Sequence, residues 1–185
     1  MTEPLHLSAK AERQYQLQDY GPRPTIDGVA IVDLKRFADD GGSVTELARL
    51  DGGQLQASSD LAGFTLRQIN YSEVEPGAIK AFHLHSRQTD VWYVPPSDRC
   101  LMILVDVRAG SPTEGTSQRL TLGAGASRLV RIPPGVAHGV RNLGTETARL
   151  IYFVDQHFTT DSATCDEGRL PWDYLGPEVW EVARG

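Results

Sequence analysis

From Gly28 to Val154 the chain is written in short β-branched or alternating segments, and that pattern restricts the fold more than any other feature. The segments are Val29 to Leu34, Val44 to Leu50, Phe64 to Ser72, Ile79 to His85, Val91 to Val94, Leu101 to Val107, Arg119 to Leu122, Arg128 to Ile132, Ala137 to Arg141 and Ala148 to Val154. Turn residues cut between them: Asp40-Gly41-Gly42, Asp51-Gly52-Gly53, Glu75-Pro76-Gly77, Pro95-Pro96-Ser97-Asp98, Gly123 to Gly125 and Pro133-Pro134-Gly135. Many short strands with no long amphipathic helix predict an all-β sandwich or barrel, with a jelly roll the leading candidate. At 185 residues the chain fits one domain able to bury its own core. Residues 1–27 read as a polar arm, in which Gly21-Pro22-Arg23-Pro24 breaks any helix begun around Ser8 to Gln18. Residues 28–160 carry the strand pattern, and 161–185 form an irregular C-terminal extension with a short helix expected after Pro177.

Charge and composition exclude some functions. A net charge of -6 and a pI near 5.3, with no basic run, argue against a nucleic-acid partner. The longest strongly apolar stretch, Cys100 to Val105, is too short to span a bilayer, and the N-terminus has no apolar signal region. A cytoplasmic protein with no membrane partner is the expectation. Cys100 and Cys165 alone imply no disulfide framework, and Cys100, in an apolar run, reads as a buried inert thiol.

Three of the five histidines fall in a suggestive arrangement. His83-Leu84-His85 is followed by Asp90 and later by Pro133-Pro134-Gly135-Val136-Ala137-His138. Positions i and i+2 of a strand share a face, so His83 and His85 point together, and a later strand carrying His138 could oppose them. Grouped imidazoles suit proton transfer near neutral pH or a divalent metal. In Phe64 to Ser72 one face runs Phe64, Leu66, Gln68, Asn70, Ser72, apolar at its start and amide-rich at its end. That gradient fits a core floor opening into a ligand pocket, or a strand whose polar end meets solvent. Trp92, Trp172 and Trp180 read first as packing residues. Arg108 either pairs with a phosphate or reaches the rim.

Three motifs carry a family resemblance. Gln68-Ile69-Asn70-Tyr71-Ser72 with Gly77 and Lys80-Ala81-Phe82-His83 resembles the Gln-x-Asn-x-Ser … Gly-x-x-Arg-Gly-x-His segment of the dTDP-4-dehydrorhamnose 3,5-epimerases. Asp106 to Gly115 is similar to their Asp-x-Arg-x-x-Ser-Pro-Thr-x-Gly signature, and Ile132 to Gly139 to their Ile-Pro-x-Gly-x-Ala-His-Gly turn. The resemblance implies a cupin-type jelly roll, usually a homodimer, acting without a cofactor on a nucleotide-linked 4-keto-6-deoxy sugar. It implies His83 as the base that removes a proton next to the ketone, and His138 as a second catalytic pocket histidine. Gln68 and Asn70 become sugar contacts, and Lys80 stands where the family has its diphosphate-binding arginine. Strict alternation turns Lys80 away from His83, so that role requires a bulge or a rim position.

The chain also departs from the family. The family's active-site lysine falls near Asp90, its proton-donating tyrosine falls at Phe158, and its C-terminal aspartate has no evident counterpart. Tyr152, Tyr93, His157 and Asp173 are the available substitutes. An altered reaction, a single epimerisation or lost activity is therefore expected. The same departures create a second pattern. Gly77, His83-x-His85, Asp90, Pro133-x-Gly135-x-x-His138 and Asn142 together are similar to the two metal motifs of cupins, with Asp for the usual Glu. Three imidazoles and a carboxylate would suit Fe, Zn, Mn or Ni. Otherwise His85 fills the place of a family glutamine while Asp90 lies solvated on a hairpin. Three classes stay open: a nucleotide-sugar epimerase, a metal-dependent cupin oxygenase or isomerase, and a noncatalytic sugar-nucleotide-binding cupin.

Overall fold

Alternating strand sequences pair into two facing antiparallel sheets in the computed structural model, which describes residues 5–52, 54–56 and 59–182. The early strands are β1 (Ala30–Asp33), β2 (Arg36–Asp39), β3 (Gly42–Thr45), β4 (Leu50–Asp51), β5 (Gln54–Leu55) and β6 (Gln68–Val74). The middle of the chain gives β7 (Ile79–Leu84), β8 (Asp90–Tyr93), β9 (Arg99–Asp106) and β10 (Ser117–Gly123). The last strands are β11 (Arg128–Ile132), β12 (Val136–Asn142), β13 (Ala148–Val154) and β14 (Gly168–Arg169). One sheet has the order β1-β11-β8-β13-β6 and the other β10-β9-β12-β7-β14, the jelly-roll arrangement expected from the sequence. Two small hairpins, β2-β3 and β4-β5, stand where the sequence suggested one strand from Val44 to Leu50.

The core lies between the sheets. Trp92, Val130, Ile132 and Leu150 from the first sheet meet Met102, Leu104, Val136 and Val140 from the second. Strand β9 is buried on both faces, which explains its unbroken apolar run. Cys100, Met102 and Leu104 face the sheet-sheet core, while Leu101, Ile103 and Val105 pack with Phe82 and Trp180. Burying Leu101, Ile103 and Val105 under the C-terminal segment contributes about 2 kcal/mol for each fully buried side chain. Trp180, on the short 3-10 helix Pro177–Trp180, is held by its indole N–H to the Trp172 carbonyl at 2.8 Å. Both cysteines are free thiols, and burial pushes Cys100 up to about 11. No helix among the described residues is long and apolar enough to cross a membrane.

Candidate functional site

A bulge in β7 decides which side chains face the site. His83 pairs with His138 and Lys80 with Val140, so three steps along β7 oppose two along β12. The extra residue breaks alternation and brings Lys80 onto the same side as His83. Phe82 is thereby sent the other way, into the cluster around Trp180. Gly139 makes the bulge sterically possible: a Cβ there would lie 2.2 Å from the Ala81 Cβ. The open end of the barrel is a cavity of about 520 Å³, whose wall includes Lys80, His83, His85, Asp90, Trp92, Tyr152, Phe158, Glu167 and Arg169.

The cavity has a sealed floor and an open mouth. On the floor, His85, Asp90 and His138 are all buried. Asp90 Oδ1 accepts from the Gln88 amide at 2.7 Å, and Oδ2 accepts from the Trp92 indole at 2.9 Å. The same Oδ2 lies 3.4 Å from His138 Nε2 and 3.9 Å from His85 Nε2. Burial opposes ionisation of Asp90, and the hydrogen bond that the Trp92 indole donates to it favours the charged form. Asp90 is therefore not the solvated hairpin residue that the sequence left open.

His83 stands at the mouth and differs from the other two histidines. Its Nε2 meets Arg169 Nη1 at 3.2 Å, and its Nδ1 lies 3.8 Å from the Glu167 carboxylate. Its ring stacks on that of His138 with centroids 5.9 Å apart. Burial, followed by the neighbouring His138 and Arg169, pushes His83 down to about 3, so the ring is neutral near pH 7. Tyr152, on β13 of the other sheet, lines the same cavity, and burial raises its phenol, which stays protonated. Of the four substitutes for the missing acid, Tyr152 alone lines this cavity. Tyr93 packs in a different apolar cluster, and His157 lines a neighbouring surface groove.

Glu167 and Arg169 were not singled out in the sequence. They reach His83 because β14 adds to the edge of β7, with Arg169 in register with His83 and Gly168 with Leu84. A Cβ at Gly168 would lie 2.7 Å from the Leu84 carbonyl, so this close approach needs glycine. Asp166 fixes the same region. Its carboxylate accepts from the backbone N–H groups of Ser86, Arg87 and Gln88 at 3.0, 2.9 and 2.9 Å, and its carbonyl accepts from His85 Nδ1 at 2.7 Å. A two-residue strand without an apolar period carries no sequence signal of its own.

Other sequence candidates have different positions. Gln68 donates to Asn70 Oδ1 at 2.7 Å and accepts from the Phe158 N–H at 3.0 Å, and neither amide is part of the cavity wall. Lys80 Nζ donates to Ser72 Oγ at 3.0 Å from within that wall. Arg108 lies outside it. Its guanidinium forks onto Asp106 at 2.8 Å through Nε and at 2.8 Å through Nη2, which also donates to the Asp27 carbonyl at 2.7 Å. That clasp ties the start of the barrel to the Ser111-Pro112-Thr113 turn, so within this chain Arg108 is engaged structurally. His83, expected as a fourth metal ligand, is separated from the other three by its engagement with Arg169 and Glu167.

Comparison with known proteins gives a consistent assignment. A family profile described as dTDP-4-dehydrorhamnose 3,5-epimerase matches residues 23–172. The spore coat polysaccharide biosynthesis protein SpsL of Bacillus subtilis (strain 168) is 37% identical over 148 residues, covering 80% of this chain and 91% of that protein. Among solved structures, a dTDP sugar isomerase from Desulfovibrio desulfuricans G20 superposes with a TM-score of 0.68 at 28% identity, covering 85% of this chain and 91% of that one. An epimerase from Legionella pneumophila, solved with dTDP-4-keto-L-rhamnose, gives 0.67 at 26% identity, covering 86% and 80%.

Proposed function

The chain belongs to the dTDP-4-dehydrorhamnose 3,5-epimerase family, and from that premise we propose that it epimerises a nucleotide-linked 4-keto-6-deoxy sugar with His83 as the base. The observation that carries this reading is that His83 and Tyr152 line one cavity from different sheets. A hydrogen on the carbon next to a ketone is acidic enough for a neutral imidazole to remove when donors stabilise the enolate oxygen. His83 takes that proton at Nε2, with Glu167 beside Nδ1 to favour the resulting imidazolium. Tyr152 then delivers a proton to the opposite face of the same carbon, which inverts it, and solvent restores both groups to their starting state.

Arg169 gives the cycle an entry step. Its Nη1 rests on the nitrogen that must act as base, so substrate has to draw the guanidinium aside. The cavity wall offers two cations, Arg169 and Lys80, to a diphosphate or an enolate oxygen. With Phe158 in place of the family's tyrosine and Asp90 in place of its lysine, proton return depends on Tyr152.

The test is proton exchange in D2O with dTDP-4-keto-6-deoxyglucose, followed by NMR at carbons 3 and 5. Wild type should exchange at one or both positions and form inverted product. His83→Asn should slow exchange by about 10³-fold, while Tyr152→Phe should retain more exchange than inversion. Nucleotide binding without exchange in the wild type would leave a binding protein and overturn the proposal.

A further inference from the structure

We infer that His85, Asp90 and His138 form a binding site for one divalent first-row transition-metal ion at the cavity floor. One ligand atom from each residue falls within 4.8 Å of the others, and all three residues are buried. The inference rests on which atoms face inward, independently of the epimerase reading. His85 Nδ1 is 2.7 Å from the Asp166 carbonyl, and His138 Nδ1 is 3.0 Å from the Val136 carbonyl. A carbonyl can only accept, so each ring donates through Nδ1. In the neutral ring this leaves Nε2 as a bare lone pair. Both Nε2 atoms then face the same carboxylate oxygen, Asp90 Oδ2.

Three acceptors thus converge among buried side chains at the floor of the cavity. The Gln88 amide and the Trp92 indole both donate to Asp90, and Gln88 Nε2 also makes a long contact of 3.4 Å with His85 Nε2, which leaves His138 Nε2 as the acceptor without a donor. His138 Nε2, in a side chain only 2% exposed, has no hydrogen-bond partner among the described residues. A buried acceptor left in this way is costly, and a cation between the three groups removes the cost at once. Carbonyls that hold the remote ring nitrogens are also the arrangement that orients metal-ligating histidines. Two imidazole nitrogens and one carboxylate oxygen suit zinc or a neighbouring first-row ion better than calcium or magnesium, which prefer oxygen cages.

His83 is not needed for this site. Its Nε2 is turned to Arg169, so proton transfer and ion binding draw on different histidines of one cavity. Three protein ligands leave a coordination position open, and His85 and Asp90 both belong to the cavity wall. An oxygen of a small molecule in the cavity could fill that position.

The experiment uses the untagged full chain, stripped with chelator and titrated with Co²⁺, then with Zn²⁺ in competition. Wild type should bind one ion per chain, with cobalt visible absorption of nitrogen-ligated character, and should release cobalt to zinc but not to calcium or magnesium. Asp90→Asn and His85→Gln should each weaken binding at least 100-fold. His83→Asn should bind as wild type, which separates this result from the fate of the epimerase proposal. Wild type and His83→Asn are also followed by ¹⁵N NMR, where zinc should shift Nε2 of His85 and His138, so unfolding of the other variants leaves the test intact. Binding well below one ion per chain would overturn the inference. So would equal binding in folded Asp90→Asn, or a wild-type spectrum in which zinc leaves both rings unmoved.

Discussion

Asp90 and Asp106 are both buried carboxylates at strand ends of the same barrel, yet their surroundings have opposite character. Around Asp106 the chain supplies donors to match: the Arg108 fork, the Ser111 hydroxyl at 2.5 Å and the Thr113 hydroxyl at 2.7 Å. A side-chain cation neutralises the charge, and Arg108, with the two hydroxyls, holds the carboxyl well below the usual range. Around Asp90 the direct donors are neutral, and two imidazole lone pairs add to the acceptors. A buried charge completed by its own chain stabilises the fold, whereas one left incomplete indicates that something else is to be bound. The comparison gives the two aspartates different duties, with Asp106 holding the barrel together and Asp90 serving its cavity.

The largest expected difference is in stability. Asp106→Asn removes the charge that Arg108 was placed to meet, and should cost about 3 kcal/mol in chemical denaturation, or roughly 6–12 °C in Tm. In chelator, Asp90→Asn should cost less, about 1–2 kcal/mol, because an amide N–H in the place of Oδ2 can donate to His138 Nε2 but leaves the Trp92 indole N–H without its acceptor. Equal losses in the two variants would break the distinction.

Acid separates them further. Asp106 has a folded-state pKa below its unfolded value of about 3.9, so its contribution is fully present above that pH. The contribution is lost as pH falls from the unfolded value toward the folded one. The stability gap between wild type and Asp106→Asn should therefore be constant from pH 7 to about 5 and shrink steadily below about pH 4. A gap that persists undiminished at pH 2 would mean that the loss is one of packing, not of charge. A smaller effect is expected at the bulge. Gly139→Ala places a methyl on Ala81 and should cost about 2 kcal/mol, with reduced substrate turnover as His83 and Lys80 lose their shared orientation.

These differences also mark what could be read in advance. The strands were legible because alternation and Gly/Pro turns are local, and the motifs around His83, Asp106 and His138 were legible because they are contiguous. The bulge was foreseen only as a condition for Lys80 to reach the site, since no pattern within Ile79 to Leu84 specifies an extra residue. The pairing of His83 with Arg169 crosses 86 positions, through a strand too short to have a period. For that reason His83 and His85, identical in parity, were expected to act as ligands together, while the tail that separates them was read as irregular. Whether Asp90 was solvated or buried likewise depended on partners from other strands, among them His138.

The smallest prediction tests whether burial, not distance, distinguishes the aspartates. Asp33 Oδ1 meets Arg128 Nε at 2.7 Å, as short as any contact in the Asp106 fork, but the two side chains are 77% and 44% exposed. Water already solvates both charges, and holding two long side chains together costs rotamer entropy that nearly offsets the attraction. Asp33→Ala should therefore change stability by only about 0.3 kcal/mol, less again in 0.5 M salt, against about 3 kcal/mol for Asp106→Asn. A loss above about 1 kcal/mol at Asp33 would mean that β1 depends on this pair to stay joined to β11. The contrast between Asp90 and Asp106 would then have to be rebuilt on hydrogen-bond length instead of on burial.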